Sequence, residues 1–130
     1  MTVPAPIAAS KQISLTTFRK DGTPVPTAVW HVAQGDTVTT VSAAGAWKVK
    51  RIRNNPQVEI TACDWRGRVT PGAPTVRGTA VLLPASETEN ARRLLERRYI
   101  TARIGGFFVR LLHLKRPDGI GIVVTLSPQA

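Results

Sequence analysis

Between Lys48 and Arg53 the sequence places four cations, Lys48, Lys50, Arg51 and Arg53, in six positions. On a helix, Lys48 with Arg51 and Lys50 with Arg53 are i,i+3 pairs that can share a face, while Val49 and Ile52 anchor the opposite side. The small residues Ser42, Ala43, Ala44 and Gly45 precede the segment and let an anion approach the backbone closely. A helix starting near Trp47 would aim backbone N–H groups and the positive end of its dipole at that anion. The chemistry this suggests is phosphate capture. The same residues also suit a solvated basic helix with Trp47, Val49 and Ile52 packed on a core, and the segment alone leaves both readings open.

Other chemistry-bearing residues are sparse. His31, beside Trp30 in a strand-like run, reads as a hydrogen-bonded structural residue. His113 has no second histidine, cysteine pair or carboxylate at metal-ligand spacing, so no metal site is expected. Neither a G-x-S-x-G elbow nor a G-x-x-x-x-G-K-[ST] loop is present, and no catalytic side chain is assigned. Trp30, Trp47 and Trp65 have rings that could line a cleft for a planar group, although tryptophan, Trp65 above all, reads first as a core residue. Cys63 is the single cysteine and also reads as core.

The elements that must position these residues follow from local pattern. Ile13 to Phe18 is β-rich and leads through Asp21-Gly22 into a second strand, Val25 to Val32. Gln34-Gly35-Asp36 turns the chain into Thr37 to Ser42, which makes a three-stranded meander. A basic helix over Trp47 to Asn55 is closed by Pro56. Strands are expected at Gln57 to Trp65 and Thr75 to Leu83, with Gly78 a bulge or a point of close backbone approach. Ser86 and Glu89 match a capping box for a helix running to about Tyr99. Ile104, Phe107, Phe108, Leu111 and Leu112 share a helical face despite Gly105-Gly106, and Ile120 to Leu126 forms a sixth strand. Six strands with short helices suggest a mainly β, closed antiparallel barrel. Its strand order is not determined by sequence.

The 130 residues suit a single domain, 1–130, with 1–11 a flexible N-terminal segment. The start of the chain lacks the pattern of a signal peptide, and no apolar run reaches the roughly 18 to 20 residues that span a bilayer. With one cysteine, this points to a cytoplasmic protein without membrane insertion. A formal net charge of +10 favours an anionic partner without saying which.

Leu15 to Pro24, Pro26 to Trp30, Trp47 to Val58 and Val76 to Ala80 occur in an order that resembles the pyridoxamine-phosphate-oxidase-like split β-barrel family, specifically its deazaflavin branch, which uses coenzyme F420. The resemblance implies a homodimer with two cofactors in clefts between subunits. It implies that Lys48 grips the cofactor phosphate, with Ser42, Ala43 and Ala44 in the preceding loop and Trp47 beside them. Ala44 stands where relatives can carry an arginine, a charge that Lys50 or Arg51 would then supply unless they meet the anionic tail of F420. Thr27, Ala28, Val29 and Trp30 would lie beside the ring. The implied activity is hydride transfer between the reduced cofactor and a small unsaturated acceptor, flat and hydrophobic, in a pocket walled by Trp30 and the Ile104 to Leu112 segment. FMN is the alternative cofactor. A non-catalytic cofactor carrier is a further alternative, and nucleic-acid binding through the basic face is not expected.

Overall fold

The computed structural model describes residues 2–100 and 119–127. The chain runs α1 (Ala5–Ala9), β1 (Gln12–Phe18), β2 (Pro24–Trp30), β3 (Val32–Gln34), β4 (Thr37–Ala43), α2 (Trp47–Asn54), β5 (Gln57–Cys63), β6 (Thr75–Leu82), α3 (Ala85–Ile100) and β7 (Gly119–Leu126). The strands form one antiparallel sheet in the order β2-β1-β5-β6-β7-β4-β3. Its two edge strands, β2 and β3, are separated in sequence by His31 alone. One residue spans only about 3.8 Å between successive Cα atoms, so the sheet must curl until its edges meet. At that seam Thr40 Oγ1 donates to the Trp30 carbonyl at 2.6 Å.

The seam makes seven strands where six were expected, and it splits the middle strand of the meander. β2 pairs with β1 and β3 pairs with β4, at opposite ends of the sheet. The break falls at His31 because its polar groups are taken out of the ladder. Its Nε2 donates to the Ser10 carbonyl at 2.8 Å, its own carbonyl accepts from Arg98 of α3, and the residue is fully buried.

Alternation along the strands sends Ile13, Leu15, Val38, Ile60, Ile122 and Val124 into one core. Val49 and Ile52 of α2 join it, as do Val3 and Ile7 at the N-terminus. The segment expected to be flexible is thus packed: Ile7 is fully buried, and the Val3 amide donates to the Gly35 carbonyl at 2.8 Å. Two further expectations are corrected. α3 begins at Ala85, so Ser86 lies inside its first turn, and the Glu87 and Thr88 amides donate to the Pro84 carbonyl in place of a capping box. Trp65 is 71% exposed, not core. The reason is Asp64, whose Oδ1 accepts the Arg66 and Arg68 amides at 2.8 and 2.9 Å and turns the chain just after β5 ends at Cys63. The helix expected over Ile104 to Leu112, and His113, lie outside the described residues.

Gly78 is a point of close approach and not a bulge, since its pairing with Val58 and Leu126 is continuous with the ladders on either side. A Cβ there would lie 2.5 Å from Val124 Cγ1 and 2.8 Å from the Thr125 carbonyl oxygen. Because one neighbour is backbone, Gly78→Ala is expected to lower unfolding free energy by about 2 kcal/mol in a urea titration. An unchanged midpoint would mean that β6 and β7 are not this tightly apposed.

Candidate functional site

α2 is pinned by Val49 and Ile52, 0% and 3% exposed, and this fixes where its cations point. No side chain caps its start at Ala46, and no acid lies in its first turn. Trp47, Lys50, Arg51 and Asn54, at i, i+3, i+4 and i+7, line one groove together, whereas Lys48 lines a separate cleft. The expected sharing of a face by Lys48 and Arg51 therefore does not bring them to one cavity. Arg51 instead donates from Nε to Thr17 Oγ1 at 2.6 Å.

The cleft that takes Lys48 has a volume of about 190 Å³. β2 contributes Ala28, Val29 and Trp30, β4 contributes Val41 and Ser42, and α3 contributes Arg92 and Leu95. Of the residues predicted from sequence, the structure thus gathers Val29, Trp30, Ser42 and Lys48. Thr27 pairs with Leu15 in the β1–β2 ladder and does not line the cleft. Ala43 and Ala44 also stay out of it, the Ala43 carbonyl accepting the Ala46 amide at the turn into α2. Trp47 is 71% exposed and faces the other groove.

Two features make the cleft suited to an anion. Ser42 is 2% exposed, and its Oγ has no hydrogen-bond partner among the described residues. Burying an unpaired hydroxyl costs about 1 to 3 kcal/mol, a cost that a ligand accepting or donating there would remove. The second feature, Arg92, went unnoticed in the sequence. Its side chain is only 12% exposed and pairs with Glu89 Oε2 at 3.1 Å. It fits because Gly119 has no side chain, since a Cβ at that position would collide with the Arg92 guanidinium. α3 is held over this end of the sheet by the Gly121 amide, which donates to Thr88 Oγ1 at 2.9 Å.

The cleft thus combines two cationic side chains and one unpartnered hydroxyl with the apolar Val29, Trp30, Val41 and Leu95. Among the described residues, no histidine, cysteine or carboxylate lines it. His31 does not line it, and burial in the first place, with Arg98 adding to it, lowers the His31 pKa to about 4 against the pull of its bond to Ser10. The chemistry available to these side chains is binding, orientation and exclusion of water. Small-molecule sites usually enclose roughly 300 to 1,000 Å³, so the cleft outlined by the described residues is smaller than most.

Ser42→Ala separates the two sides of this argument. Removing the orphaned hydroxyl is expected to raise unfolding free energy by about 1 kcal/mol while weakening anion binding in the cleft several-fold. Destabilisation on alanine substitution would show that the hydroxyl is already satisfied within the protein.

The profile of the family described as pyridoxamine 5'-phosphate oxidase matches residues 3–116. No curated protein sequence matches the chain. Among solved structures, an F420 reductase is 22% identical, with 97% of each chain covered and a TM-score of 0.62. A conserved hypothetical protein from Mycobacterium tuberculosis is 17% identical with a TM-score of 0.71, over 98% of this chain and 83% of that one. HutZ, the heme storage protein from Vibrio cholerae, is 15% identical with a TM-score of 0.64, over 92% and 83%. At these identities the likeness is one of fold, a fold shared by an F420 reductase and a heme storage protein. The family match extends over most of the sequence and the curled antiparallel sheet agrees with it: the chain belongs to the pyridoxamine 5'-phosphate oxidase family.

Proposed function

We propose that the protein is an oxidoreductase that binds coenzyme F420 in the Lys48 cleft and serves a flat, apolar, unsaturated acceptor. The observation that carries this is the buried, unpartnered Ser42 hydroxyl in a cavity that also holds Lys48 and Arg92. A phosphate-bearing cofactor fits that donor set: Lys48 and Arg92 would hold the phosphate charge, and Ser42 would complete its hydrogen bonds. Arg92 would answer the departure at Ala44 by bringing from α3 the second cation that the loop lacks, since Lys50 and Arg51 line the other groove. Val29, Trp30, Val41 and Leu95 supply apolar walls for a planar ring.

When bound, reduced F420 would supply the hydride, with the accompanying proton coming from the reduced cofactor or from water, so the described lining residues need supply no acid, base or nucleophile. The protein's share is to fix the phosphate, orient the ring and keep water away. The resemblance to the split-barrel family implies a homodimer, in which a second copy of the chain would border the cleft. A monomer in solution that binds the cofactor at full affinity would contradict that arrangement.

The activity is tested by following oxidation of reduced F420 in the presence of quinones and enones. Turnover with at least one acceptor is expected. Tight binding with no turnover across the panel would make the protein a cofactor carrier. FMN is the second reading, favoured by the family match itself, since the wider family that the sequence resembles binds FMN.

A further inference from the structure

α2 also borders a larger groove, of about 430 Å³, that the cofactor reading does not use. Trp47, Lys50, Arg51 and Asn54 meet Phe18, Arg19 and Lys20 there, where β1 ends. Among the described residues, four cations share this groove and no carboxylate lines it. Among the described residues none of the four enters an ion pair, the pairs being made by Arg68, Arg77 and Arg92. Asp21, whose carboxyl feels Arg19, accepts the Thr23 amide and stays outside the lining. Burial first and the neighbouring Arg19 second lower the Arg51 pKa, so the repulsion is not relieved by the protein itself.

The groove is also aromatic and partly preorganised. Trp47 is 71% exposed, with Lys50 Nζ 4.4 Å from its ring centroid. Phe18, half-buried, lines the same groove. Arg51 is fixed at the wall by its bond to Thr17 Oγ1, a hydroxyl on a fully buried residue. Beyond the Lys50 contact, the indole remains largely exposed and the four cations have no acidic partner among the described residues, and one kind of ligand answers both.

We infer that this groove binds a nucleoside polyphosphate, with its planar base on Trp47 and its phosphates among Arg19, Lys20, Lys50 and Arg51. A bare polyanion would answer the charge and leave the indole in water. Stacking of a base on an aromatic side chain beside a basic track is the combination by which proteins hold nucleotides without reading the base. The volume lies within the usual range for a small-molecule site, roughly 300 to 1,000 Å³. This inference does not depend on the identity of the cofactor in the Lys48 cleft.

ATP titrated calorimetrically into the full chain at physiological ionic strength tests it. Binding is expected, with inorganic tripolyphosphate about tenfold weaker and Trp47→Leu losing about tenfold in ATP affinity. The double substitution Arg19→Ala with Lys50→Ala is expected to lose more and to flatten the salt dependence. Ser42→Ala is expected to leave ATP affinity unchanged while weakening F420, which keeps the two sites distinguishable. Tripolyphosphate binding as tightly as ATP, absence of ATP binding, or displacement of ATP by F420 would each overturn the inference, the last by assigning the groove to the acidic tail of that cofactor. Circular dichroism establishes that the variants are folded, as expected for the exposed Arg19, Trp47 and Lys50 and for the loss of one unpartnered hydroxyl at the buried Ser42.

Discussion

Replacing Lys48 with alanine is expected to weaken F420 binding by about 1.5 to 3 kcal/mol, the scale of one charge-assisted hydrogen bond, and to leave the unfolding midpoint in place. The two halves of this expectation have separate structural causes. The helix that carries Lys48 is held by Val49 and Ile52, both buried, so loss of the lysine head group does not loosen it. The head group itself belongs to a cleft in which Arg92 is mostly buried and the Ser42 hydroxyl is unpartnered, and charge interactions there are less screened than on an open surface. Lys50→Ala is the matched control, since Lys50 lies on the same helix but faces the other groove. Calorimetric titration of F420 into both variants should separate them by about tenfold or more. Equal losses would show that the basic helix acts through its overall charge.

A second large effect is expected in the dependence of stability on pH. His31 is fully buried at the seam, where it links the N-terminal segment, the β2–β3 junction and α3 through Ser10 and Arg98. Burial, with Arg98 as the lesser cause, lowers its pKa from 6.5 to about 4. The unfolded chain therefore takes up a proton below about pH 6.5 that the folded chain refuses until about pH 4. The unfolded state binds more protons across that window, so stability is full above it and falls as pH drops to and through about 4. The shift corresponds to about 3 kcal/mol. His31→Gln keeps a donor for the Ser10 carbonyl without titrating, and subtracting its pH profile from that of the unaltered protein should isolate this loss. Identical slopes between pH 7 and 4 would mean that the imidazole accepts a proton in the folded state.

Those two residues also mark how much could be read from sequence. α2 was legible to within a residue, because Ala43-Ala44-Gly45 and Pro56 punctuate it and Val49 and Ile52 repeat at helical spacing. The hairpins were legible from Asp21-Gly22 and Gly35-Asp36, where the positive φ of Gly22 and Gly35, 90° and 58°, serves the turns. The seventh strand was not, because the partner that withdraws His31 from the ladder is Arg98, 67 positions away. Lys48 and Ser42 could be singled out by local context and resemblance together. Arg92 could not: in a helix rich in charge it reads as a surface residue, and its burial depends on the missing side chain of Gly119. Trp65 misled for the reverse reason, since a local turn at Asp64 overrode the general preference of tryptophan for the core.

Legible charge was also coarser than the charge the structure uses. Four cations in six residues read as one basic patch, yet the helix sends Lys48 to a cleft with Ser42 and Arg92, Lys50 and Arg51 to a groove with Trp47 and Phe18, and Arg53 to neither. The first division underlies the cofactor assignment, and the second underlies the nucleotide site.

The most direct test of the central claim is a pair of equilibrium titrations of the purified protein, one with F420 and one with FMN, read by cofactor fluorescence. Tighter binding of F420 is expected, by about tenfold or more, with the preference reduced in Lys48→Ala and Ser42→Ala. Tighter binding of FMN, or F420 binding that neither substitution changes, would contradict the account.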